Sequence, residues 1–448
     1  MQKNSMITLT CGGIGQDMEG VCRSDGMAVF VKGMLPGETG RIVITKVHRS
    51  FAFGRLQSLE TRSVHRQEPP CPYAGRCGGC ACQHMTYAFG LEAKRQNVAD
   101  CFMRIGGIHL PLPDIAGMEQ PFHYRNKTAL PVGGTVGNIR MGFFAPRSHD
   151  IIPVDRCLIS MEPANHLQTA LMQWMVSANI PPYDEKTHTG LIRHLVTRVN
   201  RRNEAMATLV VNGPSLPDAD GLVQTFIQAC PGFRSAYLNI NESRTNVIFG
   251  DVFRPLYGKD AIEERLCGLV FRISPSSFFQ VNTSQAEVLY RTVLAFARPG
   301  ESDTAADIYC GAGAITLLMA QNLSSVLGIE ENAQAVLDAR ANALANGIAN
   351  ASFYQGTAEY LLPRMAAEGY HPDIVTLDPP RKGLSPAVID AVALAAPSRV
   401  VYVACDAATQ ARDAKLFAAR GYRVTRSMCV DMFCWTGGIE HVILLEPA

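Results

Sequence analysis

Three observations predict an α/β protein whose C-terminal part is a Rossmann-like domain. Short apolar runs over Thr304–Tyr309, Ile374–Leu377 and Arg399–Ala404 each lead into residues that carry chemistry: Cys310-Gly311-Ala312-Gly313, Asp378-Pro379-Pro380-Arg381-Lys382-Gly383, and Cys405. From Phe271 onward the pattern alternates strand, helix, strand. Ligands of open α/β sheets bind beyond the carboxyl ends of the strands, so a thiol, carboxylates and a glycine turn are predicted to share one sheet edge.

At 448 residues the chain is too long for one ordinary core. A β-barrel over 1–62, a central α+β segment over 63–268 and the α/β domain over 269–448 are expected. Hydrophobic residues make up 47% and charged ones 18%, the balance of a soluble globular protein. Residues 1–10 contain no apolar signal segment and no run of 18 apolar residues follows, so a cytoplasmic location and no membrane contact are expected. No obligate protein partner is evident. In a reducing compartment the 14 cysteines call for metal or catalytic explanations for some and burial for the rest.

The net charge of +1 does not itself suggest nucleic acid. Its distribution does: Arg41, Lys46, Arg49, Arg55, Arg62 and Arg66 are opposed only by Glu60, Arg125 to Arg147 contains four cations and no acid, and Arg193 to Arg202 forms a third group. Three such clusters upstream of the sheet chemistry point to RNA or DNA as partner.

In chain order, Ile7–Leu9, Val21–Cys22, Met27–Val31, Gly40–Thr45 and Phe53–Leu56 read as short strands. Gly12-Gly13, Gly26, Gly33 and Leu35-Pro36-Gly37-Glu38 supply the turns. A small barrel of the OB-like kind closes such strands most simply, and its basic exit strand suits single-stranded nucleic acid.

Cys71, Cys77 and Cys80 follow, spaced by five and then two residues, with Gly78-Gly79 letting the backbone wrap closely. Three thiolates in a tight loop suit an iron-sulfur cluster, with zinc as the alternative. A fourth ligand has to come from Cys157, Cys82 or His84. The spacing differs from the three-and-two pattern of radical S-adenosylmethionine chemistry, so a structural or redox-sensing group is expected. Residues 87–265 are less legible. A helix is expected over Tyr87–Met103, others over Asn165–Ala178 and Gly221–Cys230, and strands over Leu191–Val199 and Ala207–Val211.

In the last segment Gly311 and Gly313 allow close cofactor approach, and Glu330 ends the second strand, where a carboxylate accepts ribose hydroxyl protons. No third glycine builds a diphosphate turn, which favours S-adenosylmethionine over a dinucleotide. Asp378 either caps the cofactor or touches the base. Cys405 and Glu440 complete a constellation. Methylating a pyrimidine at C5 benefits from thiolate attack at C6, and a base must then remove the C5 proton.

Together these residues resemble the RNA uridine-C5 methyltransferase family, class I and S-adenosylmethionine-dependent, and within it the iron-sulfur branch that acts on 23S ribosomal RNA. The resemblance rests on Cys71, Cys77, Cys80 and Cys157; Phe279-Gln280-Val281-Asn282; Asp307 to Gly311; Gly328 to Glu330; Asp378 to Gly383; Cys405 with Thr409, Arg412 and Asp413; and Asp431-Met432-Phe433 with Glu440. The N-terminal segment is similar to a TRAM domain in Leu35-Pro36-Gly37-Glu38 and the basic strand after it.

The resemblance implies that Cys405 is the nucleophile and Glu440 the base, that Gln280, Tyr309, Glu330 and Asp378 contact S-adenosylmethionine, and that Cys71, Cys77, Cys80 and Cys157 hold a [4Fe-4S] cluster. Departures are Asp406-Ala407 where relatives often have Asn-Pro, Cys434 for proline, Gly438 for histidine and Ala314 for asparagine. The same chemistry on transfer RNA, or a noncatalytic iron-sulfur RNA-binding role, are the alternatives.

Overall fold

The computed structural model describes residues 1–448. Strands β1 (Met6–Ile14), β2 (Gly20–Ser24), β3 (Met27–Lys32), β4 (Thr39–Val47) and β5 (Phe51–Leu59) close a barrel in the order β1-β2-β3-β5-β4. Alternation builds it: Val29, Val31, Ile42, Ile44 and Ala52 fill the interior, while their neighbours Phe30, Phe51 and Phe53 face outward and remain partly exposed. Gly54 is required where the strands crowd, since a Cβ there would lie 2.4 Å from Ile42 Cγ2. The buried Glu38 carboxylate accepts from Leu35 N at 2.8 Å and pairs with Arg66, fixing the Leu35–Glu38 turn against the chain that leaves the barrel.

The middle of the chain contains helix α1 (Tyr87–Cys101), which runs into a π-helical turn over Phe102–Gly106, and then β6 (Asp114–Ala116), β7 (Lys127–Thr135), β8 (Asn138–Phe144), β9 (Ile151–Pro153), α2 (Glu162–Ser177), β10 (Ile192–Val199), β11 (Ala205–Val211), α3 (Ala219–Ala229), β12 (Phe233–Ile240) and β13 (Val252–Gly258). Seven strands form one sheet in the order β13-β12-β11-β10-β7-β8-β9. Leu167, Leu171 and Trp174 of α2 and Phe226 of α3 pack against Leu195, Leu209 and Leu238 of this sheet.

After the hairpin β14 (Ile262–Leu266) and β15 (Leu269–Ile273) come α4 (Thr283–Ala297), β16 (Thr304–Ile308), α5 (Ala314–Ala320), β17 (Ser325–Glu330), α6 (Ala333–Ala345), β18 (Ala351–Gln355), α7 (Ala358–Ala367), β19 (Ile374–Leu377), α8 (Pro386–Ala395), β20 (Arg399–Ala404), α9 (Ala407–Ala418), β21 (Tyr422–Val430) and β22 (Glu440–Pro447). The sheet order is β18-β17-β16-β19-β20-β22-β21-β6. Its first five strands are parallel and β22 runs against both neighbours. Chain direction across the sheet reverses between β16 and β19, which makes the carboxyl ends there the topological switch point. Alternation again sorts the faces: Val401 and Val403 pack under α4, α5 and α6, whereas Val400, Tyr402 and Ala404 pack under α7, α8 and α9. Val98 and Phe102 of the α1 segment join the second face, and Asp114–Ala116 pairs with β21 at the sheet's edge. Residues from the middle of the chain are thus part of the C-terminal core. No helix is long and apolar enough to cross a membrane.

Candidate active site and a four-cysteine cavity

The β20–β22 ladder pairs Val403 with Val442 and Ala404 with His441. Cys405 follows the last residue of β20 and Glu440 is the first of β22, so the two lie together at the end of this ladder, where Glu440 acts on the thiol. Glu440 is 5% exposed and Cys405 is partly buried. Behind them Gln410 Nε2 donates to Tyr402 O at 2.9 Å and His441 O at 3.0 Å, while its Oε1 lies 2.6 Å from His441 Nδ1. An amide oxygen only accepts, so Nδ1 carries the proton, and burial pushes the His441 pKa down to about 3. This neutral clamp joins the two strand ends that carry the thiol and the carboxylate. Asp406 starts α9 by accepting from Thr409 N at 2.9 Å, so the departure from Asn-Pro leaves a working N-cap directly after Cys405.

The electrostatics set these groups apart from ordinary side chains. Burial, and then the neighbouring Asp378, hold the Glu440 pKa well above the usual carboxylate range, with Arg381 opposing. Burial and then Glu440 push the Cys405 thiol up, and Arg381 again opposes. Burial and Asp307 push Asp378 up to about 7. Tyr290 of α4 is buried against the same group; burial and Asp378 raise its hydroxyl, and Gln280 pulls it back. Gln280 is positioned by Asn126, whose Nδ2 donates to its carbonyl at 2.8 Å. A thiol, two carboxylates and a guanidinium gathered at neighbouring strand ends, next to the switch point, form a site built for proton and nucleophile chemistry.

The neighbouring strand ends form a cradle. Glu330 accepts from Gly311 N at 3.0 Å and Asn332 N at 2.8 Å, leaving carboxylate lone pairs for further donors. Gly311 has φ +54°, and a Cβ there would meet nothing within 4 Å, so the space above it is open. Gly328 permits close packing below, where a Cβ would fall 2.8 Å from Cys310 Sγ. Tyr309, at φ +66°, donates its N–H to Ile329 O at 2.9 Å and its hydroxyl to Glu359 at 3.5 Å. Buried Asp307 accepts from Thr316 at 2.6 Å and Thr376 at 2.7 Å, tying β16 to α5 and β19. An open glycine turn facing a carboxylate fits a nucleoside cofactor.

Known proteins agree with this geometry. Residues 256–448 match the family described as tRNA (Uracil-5-)-methyltransferase, and residues 2–56 match the TRAM domain. An uncharacterized RNA methyltransferase of Clostridium tetani is 38% identical over 446 residues, covering 99% of this chain and 97% of its own length. One from Caldanaerobacter subterraneus is 41% identical over 434 residues, covering 97% and 96%. The chain belongs to the RNA uracil-5-methyltransferase family. Among solved structures, the Pyrococcus abyssi tRNA (uracil-54, C5)-methyltransferase in complex with S-adenosyl-L-homocysteine superposes with a TM-score of 0.80 at 26% identity, covering 98% of this chain and 100% of the other. The methyltransferase fold and the cradle together support S-adenosylmethionine as the cofactor, and the TRAM domain supports RNA as the substrate.

In this uracil-5-methyltransferase the four cysteines expected to act together do lie together. Cys71, Cys77, Cys80 and Cys157 line one cavity of about 260 Å³. Gly78 is needed here, because a Cβ would lie 2.7 Å from Phe144 O, the carbonyl that accepts its N–H at 3.0 Å. Cys82 is instead buried with its thiol toward Thr436 O, and His84 lies near Arg66, so neither lines this cavity. No three His, Cys, Asp or Glu side chains gather closely enough to hold a single metal ion.

Some contributors carried no sequence signal. Tyr290 lies in an ordinary amphipathic helix, and Arg381 stood within a motif without an assigned role. Lys94, from α1, forms a fully buried ion pair with Asp431 and also donates to Phe433 O at 3.1 Å. Tyr87 donates to Asp431 at 2.6 Å, and Tyr124 to Cys434 O at 3.0 Å. These contacts pin the loop that leads into Glu440. Two departures fit within it: Cys434 is buried 3.4 Å from the Tyr87 hydroxyl, and Gly438 leaves room for Phe433, whose ring a Cβ would approach to 3.0 Å.

Proposed function

We propose that this chain methylates C5 of a specific uridine in 23S ribosomal RNA through a covalent adduct between Cys405 and C6, with Glu440 as the base. The observation that carries the reading is the placement of Cys405 and Glu440 together at the end of the β20–β22 ladder. Cys405, deprotonated with help from the nearby Arg381 charge, forms a sulfur–carbon bond to C6 and moves the C5=C6 electron pair toward O4. S-adenosylmethionine, when bound, supplies the electrophilic methyl group that the nucleophilic C5 takes. Glu440 then removes the C5 proton, the C5=C6 double bond re-forms, and Cys405 leaves as thiolate. Burial and Asp378 raise the pKa of Glu440, which makes its carboxylate a stronger base toward a carbon-bound proton. Glu330, Tyr309, Gln280 and Asp378 are the proposed cofactor contacts, Glu330 accepting from the ribose hydroxyls.

Cys71, Cys77, Cys80 and Cys157 are the proposed ligands of a [4Fe-4S] cluster. Such a cluster would take no part in the transfer. Its thiolate ligands would fasten the 71–82 loop, whose Ala81 N donates to Trp435 O at 2.8 Å, against the loop that carries Glu440. Anaerobic purification with iron and sulfide analysis is expected to yield about four of each per chain, and their absence from Cys157→Ala would support the ligand assignment.

The ribosomal target rests on the resemblance of the cysteine and TRAM combination to the 23S branch. Transfer RNA is the second reading, favoured by the Pyrococcus abyssi tRNA enzyme, which spans the barrel as well as the catalytic domain. Methyl incorporation into 23S ribosomal RNA and bulk transfer RNA, assayed separately, decides between them. Incorporation into transfer RNA alone would replace the main reading.

A further inference from the structure

Between the four-cysteine cavity and the cofactor cradle runs a short stretch of chain that the methyl-transfer chemistry does not call on. Along one side, residues 123–126 are bonded to the segment that follows Cys157. His123 N donates to Leu158 O at 2.9 Å, Arg125 N donates to Ile159 O at 2.8 Å, and Arg125 O accepts from Met161 N at 3.1 Å. Along the other side Asn126 N donates to Val281 O at 2.9 Å. Arg125 thus bridges Ser160 on one flank and Asn282 on the other, as the middle of a three-segment ladder.

Both outer segments lead to chemistry. Cys157, Ile159 and Arg125 itself line the four-cysteine cavity. On the opposite flank Gln280 is a proposed cofactor contact. Asn282 caps α4 by accepting from Gln285 N at 3.2 Å, and its Nδ2 donates to Met432 O at 3.2 Å, in the loop that leads into Glu440. Asn126 holds the junction. It is buried, its Nδ2 donates to Gln280 O at 2.8 Å and Thr283 Oγ1 at 3.0 Å, and its carbonyl accepts from Val199 N of β10 at 2.8 Å. Both protons of one buried amide are spent on Gln280–Thr283, so that segment cannot shift without stranding a buried donor. Close-packed, hydrogen-bonded segments move as units, and a displacement at 158–161 is therefore a displacement at 280–282.

We propose that Asn126 is a positioning residue of the methyl-transfer site, which sets the Gln280–Asn282 segment for the cofactor, and that the Arg125 ladder makes cofactor affinity answer to whether the four cysteines hold their metal group. The proposal rests on Gln280 as a cofactor contact and on the cysteine ligands, and adds the physical link between them. Thiolates drawn to one group fix Cys157 and with it residues 158–161; released thiolates free that edge of the ladder. Coupling of this kind is reciprocal, so a bound cofactor stabilises the held group by the same factor.

The test is anaerobic calorimetry of S-adenosylhomocysteine binding to the full-length protein, iron-loaded or stripped of iron with a chelator. Asn126→Ala is expected to weaken binding by about tenfold, the scale of one lost buried hydrogen bond. Thr283→Val removes the other acceptor of the same amide but leaves the Gln280 bond, so its Tm should fall while Kd stays. An unchanged Kd in Asn126→Ala beside a weakened Gln280→Ala would overturn Asn126 as a positioning residue and leave Gln280 a cofactor contact. Unchanged Kd in both would remove that contact and the proposal with it. Stripping the parent protein is expected to weaken binding by about fivefold or more, and saturating S-adenosylhomocysteine to slow iron release to the chelator. Equal affinities of loaded and stripped protein would overturn the coupling. Protein that takes up no iron would overturn the cluster reading and the coupling together, and Asn126 would then stand or fall on the variant comparison.

Discussion

Glu440 stands beside Cys405 at the end of the β20–β22 ladder, just past the Ala404–His441 pair, and raises the pKa of its thiol. Two groups that both gain negative charge have been placed side by side in a buried edge, with Arg381 the cation that opposes both shifts. A fold left to optimise stability alone would not retain that arrangement.

The thiol comes first in the proposed sequence of events. Cys405→Ala is expected to lose turnover by at least about 10³-fold, since the nucleophile has no substitute. Calorimetry with S-adenosylhomocysteine should give an unchanged Kd, because Glu330 and Gly311 are untouched. Measurable turnover in this variant would contradict covalent catalysis.

Glu440→Gln stops the reaction later. The methylated adduct forms but cannot lose its C5 proton, so a protein–RNA species should persist on a denaturing gel with label from the methyl donor. Finding only free, fully processed RNA would remove Glu440 as the base.

Arg381 sets the pH dependence. Ionised Cys405 and Glu440 are the active forms and both pKa values are raised, so the single-turnover rate should climb through neutral pH rather than level off near pH 5. Removing the cation that pulls both values down raises them further. Arg381→Ala is therefore expected to move the ascending limb to higher pH. A limb that stays in place would show that the guanidinium does not act on these groups.

Lys94 and Asp431 form the buried tie between α1 and the loop that ends at Glu440. Lys94→Met leaves an unpaired buried carboxylate, with an expected cost of about 3–5 kcal/mol. The drop in Tm should be smaller in Lys94→Met/Asp431→Asn, where no lone charge remains. Equal losses in the two variants would mean that the pair's packing, not its charge, is what matters.

The catalytic edge was legible because its residues sit at strand ends, where apolar runs such as Arg399–Ala404 and Ile374–Leu377 mark the element and the next residue carries the chemistry. The barrel was legible from its alternation and glycine turns. Cys71, Cys77 and Cys80 announced themselves by spacing, while Cys157 was one of three candidates from the residues alone and was singled out by the family resemblance; the fold brings it to the same cavity. Lys94 and Asp431 lie 337 residues apart, and no local pattern reports such a contact. The same holds for Asp114–Ala116, three residues too few for a periodicity to show, which the structure adds to the catalytic sheet. The Arg147 guanidinium, 5.2 Å over the Phe53 ring, joins two domains, so neither segment alone carries a sign of it.

Tritium release from 23S ribosomal RNA labelled at uridine C5 tests the central claim most directly. With S-adenosylmethionine, one tritium should leave for each methyl group gained, and Cys405→Ala should release none. Methyl incorporation with the C5 tritium retained would place the methyl group elsewhere and contradict uridine-C5 chemistry at the Cys405–Glu440 site.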